Sequence, residues 1–486
     1  MQFAAALTST SRLTHTENGA TAYSSTGNAL LDLFGCIGSL READPQRVMR
    51  LFADAYAYDP LLTTKCLFYA RDVRGGLGER HTFRLLLRYA ATKHPEAIVR
   101  NIPLIGLYGR FDDLYELIGT PLEKNMWTFM RAQFAADRKA MQENKPCSLL
   151  AKWIKTPDAS SKATRNLGIL TAKAFGLSVY EFKRRLRALR KYINVVETKM
   201  SAKEWQTIDY SAVPSKAMTL YRKAFSRHDA DRYSQFLTSV EKGEEKINSS
   251  ALFPYDIIER YVGHGGLTGL STDRVLEAQW KAMPDFVGGD ANAIVIADTS
   301  GSMWGRPLYS AVGLAIYFAD RNRGPYHGLW MSFSQDSRVQ KLRGETLAQK
   351  LASIDTNHWG MSTNLEAAFM SILNIAIKHN VSPDEMVKSI IVISDMEIDH
   401  TVGKWSFYDE MKTRYEARGY QIPNVVYWNV NSRHDIFHAD SARKGVQLCS
   451  GQATSTFKHL MASINKTPIE MMLDVLNSER YEPITM

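Results

Sequence analysis

The sequence predicts a multidomain protein, an all-α HEAT-like solenoid followed by an α/β domain with a doubly wound, mostly parallel sheet. Three observations predict it. Up to about residue 285, apolar residues recur at three- and four-residue spacing within segments of about 10–15 residues. Beyond that point short apolar runs alternate with helical patterns, the order expected of a parallel sheet with crossover helices. The change of character falls at Val287-Gly288-Gly289, which places the domains at 1–285 and 286–486.

The first helices are predicted at Ala29–Leu40, Pro45–Ala57, Leu61–Arg71, Arg80–Lys93 and Pro95–Ile105. Short turns containing Gly, Pro or Asp separate them. Helix pairs stacked in this way suggest a solenoid of the HEAT type, although no fixed period repeats. Two connections are rich in Arg, Asp and Gly: Arg71–Arg80 and Gly109–Leu114. Asp72 and Glu79 are placed to neutralise the arginines beside them. A Gly-rich loop at Gly263–Gly269 lacks the Lys-Ser/Thr ending of a phosphate-binding P-loop.

Charge is concentrated. The chain of 486 residues carries a net +9, and residues 151–200 alone hold 12 Lys/Arg against 3 Asp/Glu, the same excess. Such a patch attracts polyanions by neutralising phosphates and releasing their counterions. Within it a helix is predicted at Val179–Met200, with Leu186, Leu189, Ile193 and Val196 as one apolar stripe. The candidate RNA contacts are Lys152, Lys155, Lys162, Arg165, Lys183, Arg184, Arg187, Arg190 and Lys191. Trp153 lies among them and is read as a core residue rather than a platform for a base.

In the second domain, strands are predicted at Ala293–Ala297, Gly328–Ser334, Arg338–Leu342, Ser389–Ser394, Asn424–Asn429 and Gly445–Cys449. Helices are predicted at Pro307–Asp320, Leu365–His379 and Lys404–Arg418, and further helices close the chain. Ligands of such sheets sit beyond the C-terminal ends of the strands. Three polar pieces fall there: Asp298-Thr299-Ser300-Gly301-Ser302, Gly360–Asn364 and Asp395. Hydroxyls and carboxylates are the donors that hard divalent cations prefer. The predicted metal ligands are Asp298, Ser300, Ser302, Thr363 and Asp395, for Mg²⁺ or another divalent cation such as Mn²⁺ or Ca²⁺.

This DxSxS, later Thr, later Asp pattern resembles the metal-ion-dependent adhesion site of von Willebrand factor A-type domains, over about residues 290–486. The resemblance implies that an acidic side chain of a protein partner completes the metal shell. A helical domain ahead of such a domain resembles the TROVE-module proteins, the Ro autoantigen and its bacterial relatives. That resemblance implies a ring of HEAT-like repeats that binds small non-coding RNA and takes single-stranded RNA ends into a basic hole. The Arg71–Arg80, Gly109–Leu114 and Ser394–Glu397 stretches look closer to an uncharacterised relative of that family.

The expected function is therefore that of a non-catalytic ribonucleoprotein component. The alternative is a metal-dependent protein-interaction scaffold without RNA. No G-x-S-x-G elbow, HExxH or P-loop is present, and His358 beside the metal loop is read as structural. Four widely spaced cysteines without a CxxC pair, no apolar run of membrane-spanning length and no secretory pattern at Met1–Leu7 point to the cytoplasm.

Overall fold

The computed structural model describes residues 12–262, 267, 270–288, 291–400, 406–463 and 465–486. Met1–Leu7, all of the Gly263–Gly269 loop but Leu267, and Lys404 lie outside the described residues.

The N-terminal region is helical, and its helix starts are written in the sequence. Asp44 accepts a hydrogen bond from the Arg47 N–H and Pro45 opens the helix Pro45–Tyr58. Asp59 and Pro60 repeat the device for Pro60–Arg71. Two predicted helices are broken in the structure. The Pro95–Ile105 prediction becomes Pro95–Val99 and Ile102–Tyr108, because Pro103 suits a first turn and not an interior. The Val179–Met200 prediction becomes Val179–Tyr192 and Val196–Ser201, with Asn194 between them at φ 54°. The break gives the apolar stripe two destinations. Leu186 and Leu189 join the main core, whereas Val196 joins a smaller one with Ile208, Tyr210, Phe225 and Tyr233.

The C-terminal region is a six-stranded mixed sheet. A short antiparallel hairpin, β1 (Leu13–His15) and β2 (Thr21–Tyr23), stands apart near the N-terminus. The sheet contains β3 (Ala293–Asp298), β4 (Leu329–Phe333), β5 (Ser337–Lys341), β6 (Ser389–Ser394), β7 (Asn424–Asn429) and β8 (Val446–Ser450), in the order β5-β4-β3-β6-β7-β8. All neighbours are parallel except the edge pair β4 and β5. Strands β3 and β6 are buried throughout, which their near-continuous Ile/Val runs require. Strand order reverses between them: β4 follows β3 on one side, while β6, β7 and β8 extend on the other. The ends of β3 and β6 therefore flank the crevice where ligands of open α/β sheets bind.

The two regions share one hydrophobic core. Helix Ala29–Cys36 packs on β8, and helix Pro468–Leu476 packs on both that helix and Pro60–Arg71. The β1–β2 turn crosses to the far region, where Thr16 Oγ1 donates to the Ile398 carbonyl and Asn18 Nδ2 to the Glu397 carbonyl. In the opposite direction, Arg480 pairs with buried Asp72, and Asn101 Nδ2 donates to the Thr485 carbonyl at 2.7 Å. Asp72 thus takes its partner from the end of the chain, not from the arginines beside it, and Glu79 takes Arg41.

One close approach makes the union stringent. A Cβ on Gly38 would lie 2.8 Å from backbone atoms of Gly451 and Ser450, and the Gly38 N–H donates to Ser450 Oγ. Backbone cannot swing aside as a long side chain can. Gly38→Ala is expected to cost about 3 kcal/mol, at the upper end of overpacking penalties, read as a lowered urea midpoint.

The four cysteines are free thiols. Among the described residues no helix is long and apolar enough to cross a membrane.

Candidate functional site

Asp298 ends β3 and Asp395 follows β6, so adjacent parallel strands deliver two carboxylates to one edge. Both are buried, Asp298 completely at 0 % exposure. Asp298 Oδ1 accepts from the Ser300 N–H at 2.9 Å, and its Oδ2 accepts from Ser394 Oγ at 2.6 Å. Ser300 Oγ lies 3.1 Å from Ser302 Oγ, so the two hydroxyls converge. Asp395 accepts from the Glu397 N–H and from Arg433 Nη2 at 3.1 Å.

Thr363 is buried on the third segment. Its N–H donates to Asp399 Oδ2 at 2.9 Å and its carbonyl accepts from the Asp399 N–H, tying this loop to the chain just after β6. The same loop touches the first: Met361 Sδ would be 2.6 Å from a Cβ on Gly301. All three predicted segments therefore meet at one place. Burial, and then the charge of Asp395, push the Asp298 carboxyl up to about 7. Two buried carboxylates with hydroxyls beside them are a donor set that fits a hard divalent cation, which would supply Asp298 with the positive charge that Arg433 gives only to Asp395. His358 stands outside this set, 3.4 Å from Asp355, and its carbonyl accepts from Ser334 Oγ.

Backbone strain marks the spot. Met396, next to Asp395, has φ 70°, a conformation costing about 1–2 kcal/mol in a non-glycine residue. Its carbonyl accepts from His438 Nε2 and its N–H donates to Ser394 Oγ. Burial holds His438 down to about 4, so the ring stays neutral and keeps that role. Nothing in the sequence pattern pointed to His438 or Arg433 as supports of this edge.

The second candidate is a cleft of about 1080 Å³ in the helical region, reaching the sheet region at Arg306. Eleven lysines and arginines line it, against Asp158 and Glu197. Five of the cations are paired with carboxylates: Arg41 with Glu79, Arg71 with Asp113, Arg110 with Asp112, Lys183 with Asp158 and Lys216 with Asp256. Among the described residues six have no carboxylate partner: Arg74, Arg80, Lys152, Arg187, Arg190 and Arg306. Trp153, Tyr221, Phe253 and Tyr255 share the walls. Trp153 is thus a half-buried wall residue, covered by the Arg110 guanidinium at 4.1 Å, and not the core residue expected.

Of the nine predicted RNA contacts, Lys152, Lys183, Arg187 and Arg190 line this cleft. Lys155, Lys162, Arg165, Arg184 and Lys191 do not. Lys155 is drawn to Asp112 at 3.4 Å, and Arg165 donates to the Ala159 and Ser160 carbonyls. Arg190 holds the Ala151 and Ile154 carbonyls at 2.9 and 2.8 Å, which makes it a brace of the wall. Sequence reading passed over Arg41, Arg71, Arg74, Arg80, Arg110, Lys216 and Arg306 as site residues. They come from scattered stretches, and only the Arg/Gly-rich composition of two connections hinted at some of them.

A helical region whose cleft is basic, joined to a mixed sheet with a buried carboxylate pair, defines the class of molecule. The chain belongs to the family described as domain of unknown function DUF2828, whose model matches residues 16–152 and 147–287. Residues 292–481 match a second model, domain of unknown function DUF7788. The chain is similar to uncharacterized protein L728 of Acanthamoeba polyphaga mimivirus, 26% identical over 513 residues, covering 97% of this chain and 88% of that protein.

Proposed function

We propose that this protein is a non-catalytic RNA-binding component of a ribonucleoprotein, acting in the cytoplasm. Its helical part is a HEAT-like, TROVE-type domain over residues 1–285. Its sheet part is a von Willebrand A-type domain over residues 286–486. There Asp298, Ser300, Ser302, Thr363 and Asp395 hold Mg²⁺ or a related divalent cation. The single observation that carries the RNA reading is the cleft: six cations without a carboxylate partner among the described residues, with aromatic rings among them. Unpaired bases stack on such rings while phosphates meet the cations, which favours single-stranded RNA over a duplex.

The test uses the full chain and an unstructured RNA oligonucleotide. The double variant Lys152→Glu/Arg187→Glu should bind more weakly. Its log–log salt slope should flatten by about 0.7 for each phosphate that is no longer neutralised. Binding and slope identical to the parent protein would defeat the RNA reading.

A second reading, a metal-dependent protein scaffold, has its own observation. Trp304 and Met361 stand 80 % and 86 % exposed on the two loops that carry the serines and Thr363. Large apolar side chains on the rim of a charged site are where a protein partner gains contact area.

A further inference from the structure

The charge around the cleft is unevenly spent. Asp113 is wholly buried and accepts from Arg71 Nε at 2.7 Å, Arg84 Nε at 2.6 Å and the Arg110 N–H at 3.0 Å. Asp112 receives Arg110 through both oxygens, Arg84 at 3.1 Å and Lys155 at 3.4 Å. Glu116 reaches Arg84 at 3.8 Å. Arg80 is the remaining cation of this group, and its side chain has no hydrogen-bond or ion-pair partner among the described residues. Five cations, Arg71, Arg80, Arg84, Arg110 and Lys155, therefore share three carboxylates, an excess of two positive charges.

That excess faces the cleft, because Arg71, Arg80 and Arg110 all line it, with Arg74 beside them. Burial, then the positive charges of Arg110 and Arg84, hold the Arg80 guanidinium below its ordinary value, and the charge of Asp112 opposes them only in part. The helix His81–Lys93 begins at Arg80 with no side-chain cap and no acidic residue in its first turn, adding to the positive field. Arg41, also on the wall, keeps a buried Nε without an acceptor.

A phosphodiester carries one negative charge, whereas a phosphomonoester carries about −1.5 to −2 near neutrality and offers three acceptor oxygens. Arg74, which has no carboxylate partner among the described residues, adds to the excess of two, so the second neutralises more of it and can take several guanidinium hydrogen bonds at once. We propose that the Arg74–Arg80–Arg110 wall of the cleft is a phosphomonoester site that receives the phosphorylated end of a single RNA strand. This rests on the RNA reading for the strand, though not for the phosphate.

The test compares one unstructured oligonucleotide with a 5′-phosphate, with a 3′-phosphate, or with hydroxyls at both ends, by competition against a labelled strand on the full chain. One phosphorylated form should compete about tenfold better than the hydroxyl form, the ratio expected of one charge-assisted hydrogen bond. In Arg80→Gln, checked for an unchanged melting temperature, that ratio should fall to about one. Equal competition by all three strands overturns the proposal while leaving RNA binding standing. So does a preference that survives Arg80→Gln. If no strand binds but inorganic phosphate or a nucleoside monophosphate binds in an Arg80-dependent manner, the phosphate site stands and the RNA reading falls. If none of these probes binds, both fall.

Discussion

Asp113→Ala is expected to be the most destabilising single substitution in the helical region, at about 3–5 kcal/mol. The reason is what it leaves behind. Arg71 is 3 % exposed and Asp113 is 0 % exposed, so their ion pair has no water to fall back on. Without the carboxylate, the Arg71 guanidinium stays buried and uncompensated, and Arg84 and the Arg110 N–H lose their acceptor as well. The penalty is the desolvation cost of the orphaned charge, which exceeds the net worth of the pair when intact. Urea unfolding followed by circular dichroism measures it. The double variant Arg71→Met/Asp113→Leu should recover much of the loss, since removing both partners leaves no orphan. A loss below about 1 kcal/mol for Asp113→Ala would mean that the network is hydrated.

The second large effect concerns the carboxylate pair. Divalent cation should raise the melting temperature of the parent protein, and Asp298→Ala should abolish that rise. At a metal concentration about a hundredfold above Kd, linkage gives about 2.7 kcal/mol of added stability. The pH dependence follows from the raised Asp298 carboxyl. Without metal, the folded state keeps a proton that the unfolded chain releases near pH 4. Unfolding then releases a proton, and this group's contribution to stability falls as pH climbs from about 4 to about 7. Metal needs the ionised carboxylate, so its effect should be small at about pH 5 and full by about pH 8. Differential scanning fluorimetry at both pH values tests this. A metal response in Asp298→Ala equal to that of the parent would remove the carboxylate pair as its site. If the apolar rim at Trp304 and Met361 serves a protein partner, chelator and Asp298→Ala should both release that partner.

The loops that carry the buried carboxylate pair were legible because they abut unmistakable strands. The runs Ala-Ile-Val-Ile-Ala and Ser-Ile-Ile-Val-Ile-Ser can only be buried, and the polar residue that follows each must sit at a sheet edge. The cleft was legible only in part. Lys152, Lys183, Arg187 and Arg190 announced themselves by local charge density, but Arg41 and Arg306 lie in stretches of ordinary composition and are brought in by tertiary packing. Local charge does not show what already holds each end, a carboxylate at Lys155 and two backbone carbonyls at Arg190. The helix break at Asn194 was hidden because the apolar spacing runs straight through it; the stripe changes partner without changing period. The β1–β2 hairpin escaped because three-residue strands carry too little alternation to stand out.

The reciprocal docking of the chain's two ends bears on biosynthesis. Helix Ala29–Cys36 waits for β8, and Asp72 waits for Arg480, so earlier residues are held by residues made some 400 positions later. A nascent chain cannot bury the Gly38 surface until β8 has emerged, nor neutralise Asp72 while Arg480 is still on the ribosome. Splitting the gene at the junction between helices and sheet would deprive each fragment of a segment that covers it. Such fragments should aggregate when made separately and regain solubility when made together.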